Sequence, residues 1–236
     1  MLKYMIFIPA YYAETTIESV IDRIPEDVLQ EVTEILIQDD ASQDNTYLIA
    51  QQIAKTNAKV VAVQNEKNLG YGGTLKKAYL YAIEKGFEAV IMVHGDGQLP
   101  PESIQDVLTP ICNQQADIVL GSRILGDPLG GGMPVYKYWA NKFLNSLMNY
   151  SLKQKLTDYH TGYVAITTHA LKIIDIGTCE DGHEITPEIL IKAIRAGLVV
   201  MDVPVPTSYG EGSRSVTLKT SVKYGIDIIR LLISSN

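Results

Sequence analysis

The residues of this chain whose types and spacing can do chemistry lie in short polar runs, each placed directly after an apolar stretch. In HGDGQ (residues 94–98), Asp96 and Gln98 stand two apart with Gly95 and Gly97 beside them, so the backbone can bend a carboxylate and an amide oxygen towards one point. Both are hard oxygen donors of the kind that hold Mg2+ or Mn2+ on a diphosphate. DDASQD (39–44) supplies Asp39, Asp40 and Asp44. Asp44, beside the start of a helical pattern, suits a helix cap, and Asp40 suits a ligand contact to a base or ribose. Arg123, in GSR, is a cation well suited to bidentate phosphate contact. The glycine run NLGYGG (68–73) precedes a helix as phosphate-cradling loops do, but its spacing is neither that of a dinucleotide fingerprint nor that of a P-loop. His160, His169 and His183 share no regular spacing and read as ordinary loop histidines.

These runs act together only if the fold carries them to one edge. Residues 3–8, 34–38, 59–64, 89–93 and 117–120 read as buried strands, and residues 15–24, 45–54, 71–85 and 102–113 as the helices between them. That alternation predicts an α/β fold: a doubly wound, mostly parallel sheet with helices on both faces. Ligands of such sheets sit at the carboxyl ends of the strands. PAYYAE (9–14), DDASQDNT (39–46), NEKNLGYGG (65–73), HGDGQLPP (94–101) and GSR (121–123) all fall there. The second half is less regular. LGDPLGGGMP (125–134) is a loop long enough for a mobile lid, residues 138–152 and 186–196 have helical spacing, and 161–167 and 198–203 look like strands. Residues 217–234 mix apolar and basic positions, which suits a helix packed on the core or one lying at an interface.

Composition narrows the possibilities. The chain has 236 residues, 46% of them hydrophobic, with 20 Lys and Arg against 27 Asp and Glu for a net charge of −7. That is the size of one generous domain, spanning residues 1–236. The acidic balance argues against a nucleic-acid partner, which would need clustered cations. Cys112 and Cys179 form no metal-ligand pattern and no disulfide framework. The apolar run before Pro9 is too short for a signal peptide and no window is long enough to span a bilayer, so a soluble, cytoplasmic chain is expected.

Taken in order, PAYYAE, DDASQDNT, NLGYGG, HGDGQLPPE, GSR, DYHTGY (158–163), EITPEIL (184–190) and VPVPTSY (203–209) resemble the family 2 glycosyltransferases, most closely the dolichol-phosphate mannosyltransferase-like branch. The resemblance covers nearly the whole chain. It implies a GT-A fold, with a nucleotide-binding half over about residues 1–123 and an acceptor half over about 124–236. It also implies a GDP- or UDP-linked sugar donor, Mg2+ or Mn2+, and inversion at the anomeric carbon. The acceptor it implies is a polyprenyl (lipid) phosphate met at the membrane surface, with a membrane-protein partner or a homodimer as possible company. On these positions Pro9, Tyr11, Glu14, Asp40, Gly70, Asp96 and Arg123 would bind the nucleotide sugar, and Asp96 and Gln98 the metal. Arg123 would stabilise the departing diphosphate in an in-line displacement. An ionised phosphate acceptor needs no general base; for a hydroxyl acceptor Asp158 is the first candidate base and Glu188 the second. Three positions depart from the family pattern: Ala13 and His94 replace an expected Asn and Asp, and Val164 replaces an Arg whose phosphate contact Lys137 or Arg214 would have to supply. Those departures leave an alternative, a non-catalytic nucleotide-sugar-binding or scaffold protein.

Overall fold

The computed structural model describes residues 2–207 and 218–234. Its centre is a seven-stranded sheet made of β1 (Tyr4–Ala10), β2 (Glu34–Asp39), β3 (Val60–Gln64), β4 (Ala89–Met92), β5 (Ile118–Ser122), β6 (Val164–Thr167) and β7 (Val200–Pro204). The helices are α1 (Ile17–Asp22), α2 (Glu26–Glu31), α3 (Thr46–Thr56), α4 (Gly70–Glu84), α5 (Ile104–Cys112), α6 (Val135–Leu152), α7 (Thr168–Ile173), α8 (Ile185–Arg195) and α9 (Leu218–Ser234).

The near-continuous apolar strands are what a sheet covered on both faces requires. Side chains alternate across a strand, so β1 sends Met5 and Phe7 to one face and Tyr4, Ile6 and Ile8 to the other. Met5 and Phe7 join Leu36, Val90 and Met92 beneath α4, α6, α7, α8 and α9. Tyr4, Ile6 and Ile8 join Ile35, Ile37 and Ile91 beneath α1, α2, α3 and α5.

The strand order is β3-β2-β1-β4-β6-β5-β7, and only β6 runs antiparallel, paired with β4 on one side and β5 on the other. β6 therefore separates β4 from β5. Two helices escaped the sequence pattern, being only six residues long: α2, and α7, which follows β6 directly with Thr167 Oγ1 accepting from the Ala170 amide at 3.1 Å. The strand expected over 161–167 begins only at Val164, because residues 158–163 turn through the site instead. The loop at 125–134 lies against the exit of β7: a Cβ on Gly126 would fall 1.9 Å from the Val205 carbonyl oxygen. Backbone-to-backbone packing thus accounts for that glycine. Among the described residues, no helix is long and apolar enough to cross a membrane.

Candidate active site

The chain runs outward from β1 to β2 and β3, then returns to place β4 on the other side of β1. This reversal opens a crevice at the carboxyl ends of β1 and β4. Gly95, just past β4, donates to the Pro9 carbonyl at 3.3 Å and accepts from Thr16 Oγ1 at 2.7 Å, closing the crevice floor. A Cβ at Gly95 would lie 2.9 Å from Pro9 O, so the two strand ends can meet only through a glycine. Because β6 is antiparallel, its amino end lies at this same edge, and residues 158–163 enter the site there.

On the β1–β2–β3 side the acidic residues hold the protein to itself. Asp39 accepts from Gln64 Nε2 at 2.9 Å and from the Ser42 hydroxyl and amide. Asp40 is buried and accepts from Asn65 Nδ2 at 2.9 Å, the Leu69 amide at 2.7 Å and the Gly70 amide at 2.9 Å. The amides that would cradle a phosphate ahead of α4 are therefore taken by Asp40. Gly72 has its own reason to be glycine, since a Cβ there would fall 2.5–2.6 Å from the Asp181 and Gly182 backbone. Asp44 accepts from the Thr46 amide at 3.1 Å and the Thr46 hydroxyl at 2.6 Å, satisfying the first free N–H of α3 from one position before the formal cap, Asn45. Glu14 accepts from the Asn45 amide at 3.0 Å. Tyr11 is 47% exposed at the crevice mouth, beside Tyr12, whose backbone turns left-handed at φ 52. Pro9, Tyr11, Glu14, Asp40 and Gly70 thus share one edge, with Asp40 and Gly70 bonded to each other.

Beyond β4, Asp96 is exposed and its Oδ1 accepts the Gln98 amide at 3.1 Å. No hydrogen bond from another described side chain ties Asp96 Oδ2 or the Gln98 amide group. Among the described residues, no group of three His, Cys, Asp or Glu side chains could hold a metal ion. The donor set is thus an open pair of hard oxygens, which fits a cation such as Mg2+ that takes one or two protein oxygens and completes its shell from phosphate and water. His94, two residues before Asp96, stacks on Tyr71 with ring centroids 5.9 Å apart. Its buried Nε2 faces the Gly162 backbone and makes no well-formed hydrogen bond among the described residues. Burial holds this imidazole below its ordinary pKa, with the Asp96 charge opposing and Arg123 adding to the effect.

Past β5, Arg123 donates from Nε to Asp158 Oδ2 at 2.7 Å, from Nη2 to Oδ1 at 2.9 Å and from its backbone amide to Oδ2 at 3.1 Å. Nη2 also reaches the His160 carbonyl at 3.1 Å. Asp158 is fully buried. Burial by itself would raise its pKa, but the bidentate guanidinium holds the carboxyl below the ordinary value. A carboxylate so held is a poor proton acceptor, which sets Asp158 against the base role expected from sequence. Glu188 is engaged elsewhere: it accepts the Glu180 amide at 2.8 Å and pairs with Lys192 at 2.9 Å, one turn along α8. The structure therefore places the two candidate bases in separate ion pairs.

Three residues to which the sequence reading gave no part in the site, His160 among them as an ordinary loop histidine, join this cluster. His160 Nδ1 lies 2.9 Å from the Tyr224 hydroxyl of α9, and burial pushes the His160 pKa down to about 4, Asp158 opposing and Arg123 reinforcing. Tyr71 stacks on His183 as well as on His94, with centroids 5.8 Å apart. Neither helical nor strand periodicity relates positions 71, 160 and 224, so spacing carried no signal of their meeting. Lys137 opens α6, and Arg214 lies outside the described residues.

Three comparisons bear on this arrangement. The UDP-N-acetylglucosamine–dolichyl-phosphate N-acetylglucosaminyltransferase of Methanococcus voltae is 32% identical, over 98% of this chain and 95% of that protein. The undecaprenyl-phosphate mannosyltransferase of Micrococcus luteus is 24% identical over 86% of this chain and 83% of its own. The crystal structure of glucosyl-3-phosphoglycerate synthase from Mycobacterium tuberculosis with Mn2+, UDP and phosphoglyceric acid superimposes with a TM-score of 0.74 at 18% identity, covering 99% of this chain and 78% of that one. The sheet and its helices are accordingly a GT-A fold. The model of glycosyl transferase family 2 matches residues 5–174, from the first strand through the antiparallel strand that carries the Arg123 partner into the site, and the chain belongs to that family of glycosyltransferases.

Proposed function

We propose that this glycosyltransferase moves a sugar from a nucleoside-diphosphate donor to a polyprenyl phosphate, inverting the anomeric carbon. The observation that carries the acceptor class is the state of the two carboxylates that the sequence offers as bases. Asp158 is bound by Arg123 and held in its ionised form, and Glu188 is bound by Lys192. Neither is poised to take a proton from a hydroxyl, whereas a phosphate monoester is already ionised near neutral pH and attacks without a base. The relatives named above for dolichyl-phosphate and undecaprenyl-phosphate transfer support the same acceptor chemistry.

The residues then divide the work. Tyr11, at the open end of β1, would lie against the base, and Asp40 would act there mainly by holding the Leu69–Gly70 turn that borders it. Asp96 and Gln98 would hold Mg2+ or Mn2+, which when bound offsets diphosphate charge. Arg123, aimed by Asp158, would face the phosphates, where its fixed charge favours the departing nucleoside diphosphate. Inversion would require the acceptor phosphate to reach the anomeric carbon from the side opposite the departing nucleoside diphosphate.

The test is transfer of radiolabelled sugar from GDP- and UDP-linked donors to a short-chain polyprenyl phosphate and to the matching polyprenol. Product from the phosphate and none from the alcohol is expected. Equal rates with both would overturn the base-free acceptor reading.

A further inference from the structure

Helix α6 presents an apolar face on each side. Its inner side packs on the protein: Met148 and Leu152 are core residues, and the buried Asn145 donates to the Thr157 carbonyl at 2.6 Å. With about 100° of rotation per residue, Tyr136, Trp139, Phe143 and Tyr150 form a single stripe on the opposite side. These four side chains are 55%, 63%, 67% and 87% exposed. A helix that buries one stripe in a core ordinarily turns polar and charged residues to water. Single apolar residues on a surface need no explanation, but four aromatic ones in register do. Val135, 61% exposed, extends the stripe at its start.

The surrounding charge selects the occupant. Residues 128–157 contain Lys137, Lys142, Lys153 and Lys155 and no Asp or Glu, within a chain of net charge −7. The Lys142 ammonium lies 5.2 Å from the Tyr138 ring centre and 5.9 Å from that of Trp139, at the margin of the stripe. A stripe of aromatic rings, three of them polar at the tip, on a helix that carries lysines and no carboxylate of its own matches the headgroup layer of an anionic bilayer. Self-association fits less well, since a two-fold contact would bring α6 against its own copy, lysines included, with no carboxylate of the helix to offset them.

We propose that the Tyr136–Trp139–Phe143–Tyr150 face of α6 docks on an anionic lipid bilayer. The purpose of docking rests on the polyprenyl-phosphate reading above, because it would hold the site beside an acceptor anchored in that bilayer. The same helix transmits the placement inward. Asn145 and Asn149 on its inner half bond the Thr157 and Leu156 carbonyls and the Tyr159 amide, bracketing the Asp158 that aims Arg123.

Trp139 is the only tryptophan, so its fluorescence reports on this face alone. The full chain is titrated with vesicles of phosphatidylcholine, with and without phosphatidylglycerol and with brominated acyl chains. A blue shift and bromine quenching on the anionic vesicles, weakened by salt, are expected. Tyr136→Ser with Phe143→Ser, which leaves Trp139 in place, should lower the partition coefficient at least about tenfold. Lys142→Glu should lower it about fivefold. Both variants should keep their melting temperature and their transfer to a water-soluble short-chain polyprenyl phosphate. No shift on anionic vesicles overturns the proposal, as does a shift that follows protein concentration without lipid, the mark of a second copy on this face. Equal loss of transfer to the soluble acceptor in the double variant also overturns it. Vesicle docking by a chain that uses no polyprenyl phosphate would leave the docking face standing and sink the acceptor reading instead.

Discussion

Removing both partners of the Arg123–Asp158 pair should cost the protein less than the two single losses added together. The pair is joined by three hydrogen bonds of 2.7, 2.9 and 3.1 Å, and its side chains are 19% and 0% exposed. Arg123→Met strands a carboxylate with no water to stabilise it; Asp158→Asn keeps the shape and strands a guanidinium. Each single change should cost about 3–5 kcal/mol, the usual penalty for an uncompensated buried charge. In a chain of this size that lowers the melting temperature by about 6–20 °C. The double variant leaves neither charge, so it should fall short of the summed losses by about 2 kcal/mol or more. Urea denaturation of the four proteins at pH 7 reads this coupling directly. The pH sign is determined as well. The folded carboxyl titrates below its unfolded value of about 3.9, so its contribution is present above that pH and is lost as pH falls through the folded pKa. The gap between wild type and Asp158→Asn should therefore narrow under acid. Losses that add to within about 0.5 kcal/mol would refute the argument that the pair is a buried unit. An Asp158→Asn variant of native stability that had lost only the acidic limb of its rate profile would restore Asp158 as a base.

Other outcomes follow from the same geometry. Gly72→Ala should destabilise by about 1–3 kcal/mol in urea, because its Cβ would meet the Asp181–Gly182 backbone at 2.5–2.6 Å; a native midpoint would show that the turn yields freely. His160 is neutral when folded, with a pKa of about 4, and gains a proton near its ordinary value of about 6.5 when unfolded, so stability should fall as pH drops through that window. His160→Asn should reduce that slope between pH 7 and 5, and an unchanged slope would place the titration elsewhere. In Asp96→Ala, the Mn2+-dependent part of the melting-temperature rise given by UDP or GDP should vanish; a rise equal to that of the wild type would remove Asp96 from the metal site.

Much of the fold was legible because it rests on local patterns. The buried strands are nearly unbroken apolar runs, and the polar runs after them had to collect where parallel strands end. What those residues do there was less legible. Asp40 read as a ligand contact because a carboxylate at a strand end looks free in sequence; in the structure its oxygens are taken by Asn65, Leu69 and Gly70. Gly72 read as part of a phosphate loop, yet its reason is a backbone more than a hundred residues away. The aromatic stripe of α6 passed as ordinary helical spacing, since periodicity reveals that a face exists but not which face meets the core.

By itself, the order and spacing of the chain determined the α/β class, the common edge and the glycosyltransferase family, since all three depend on local periodicity and on motifs read in register. Only the tertiary structure decided that β6 runs backwards between β4 and β5, because strand direction in a sheet is set by long-range pairing that no local pattern encodes. That reversal brings Asp158 onto Arg123 across 35 residues of sequence. It makes Asp158, the candidate base for a hydroxyl acceptor, the buried ion-pair partner of Arg123.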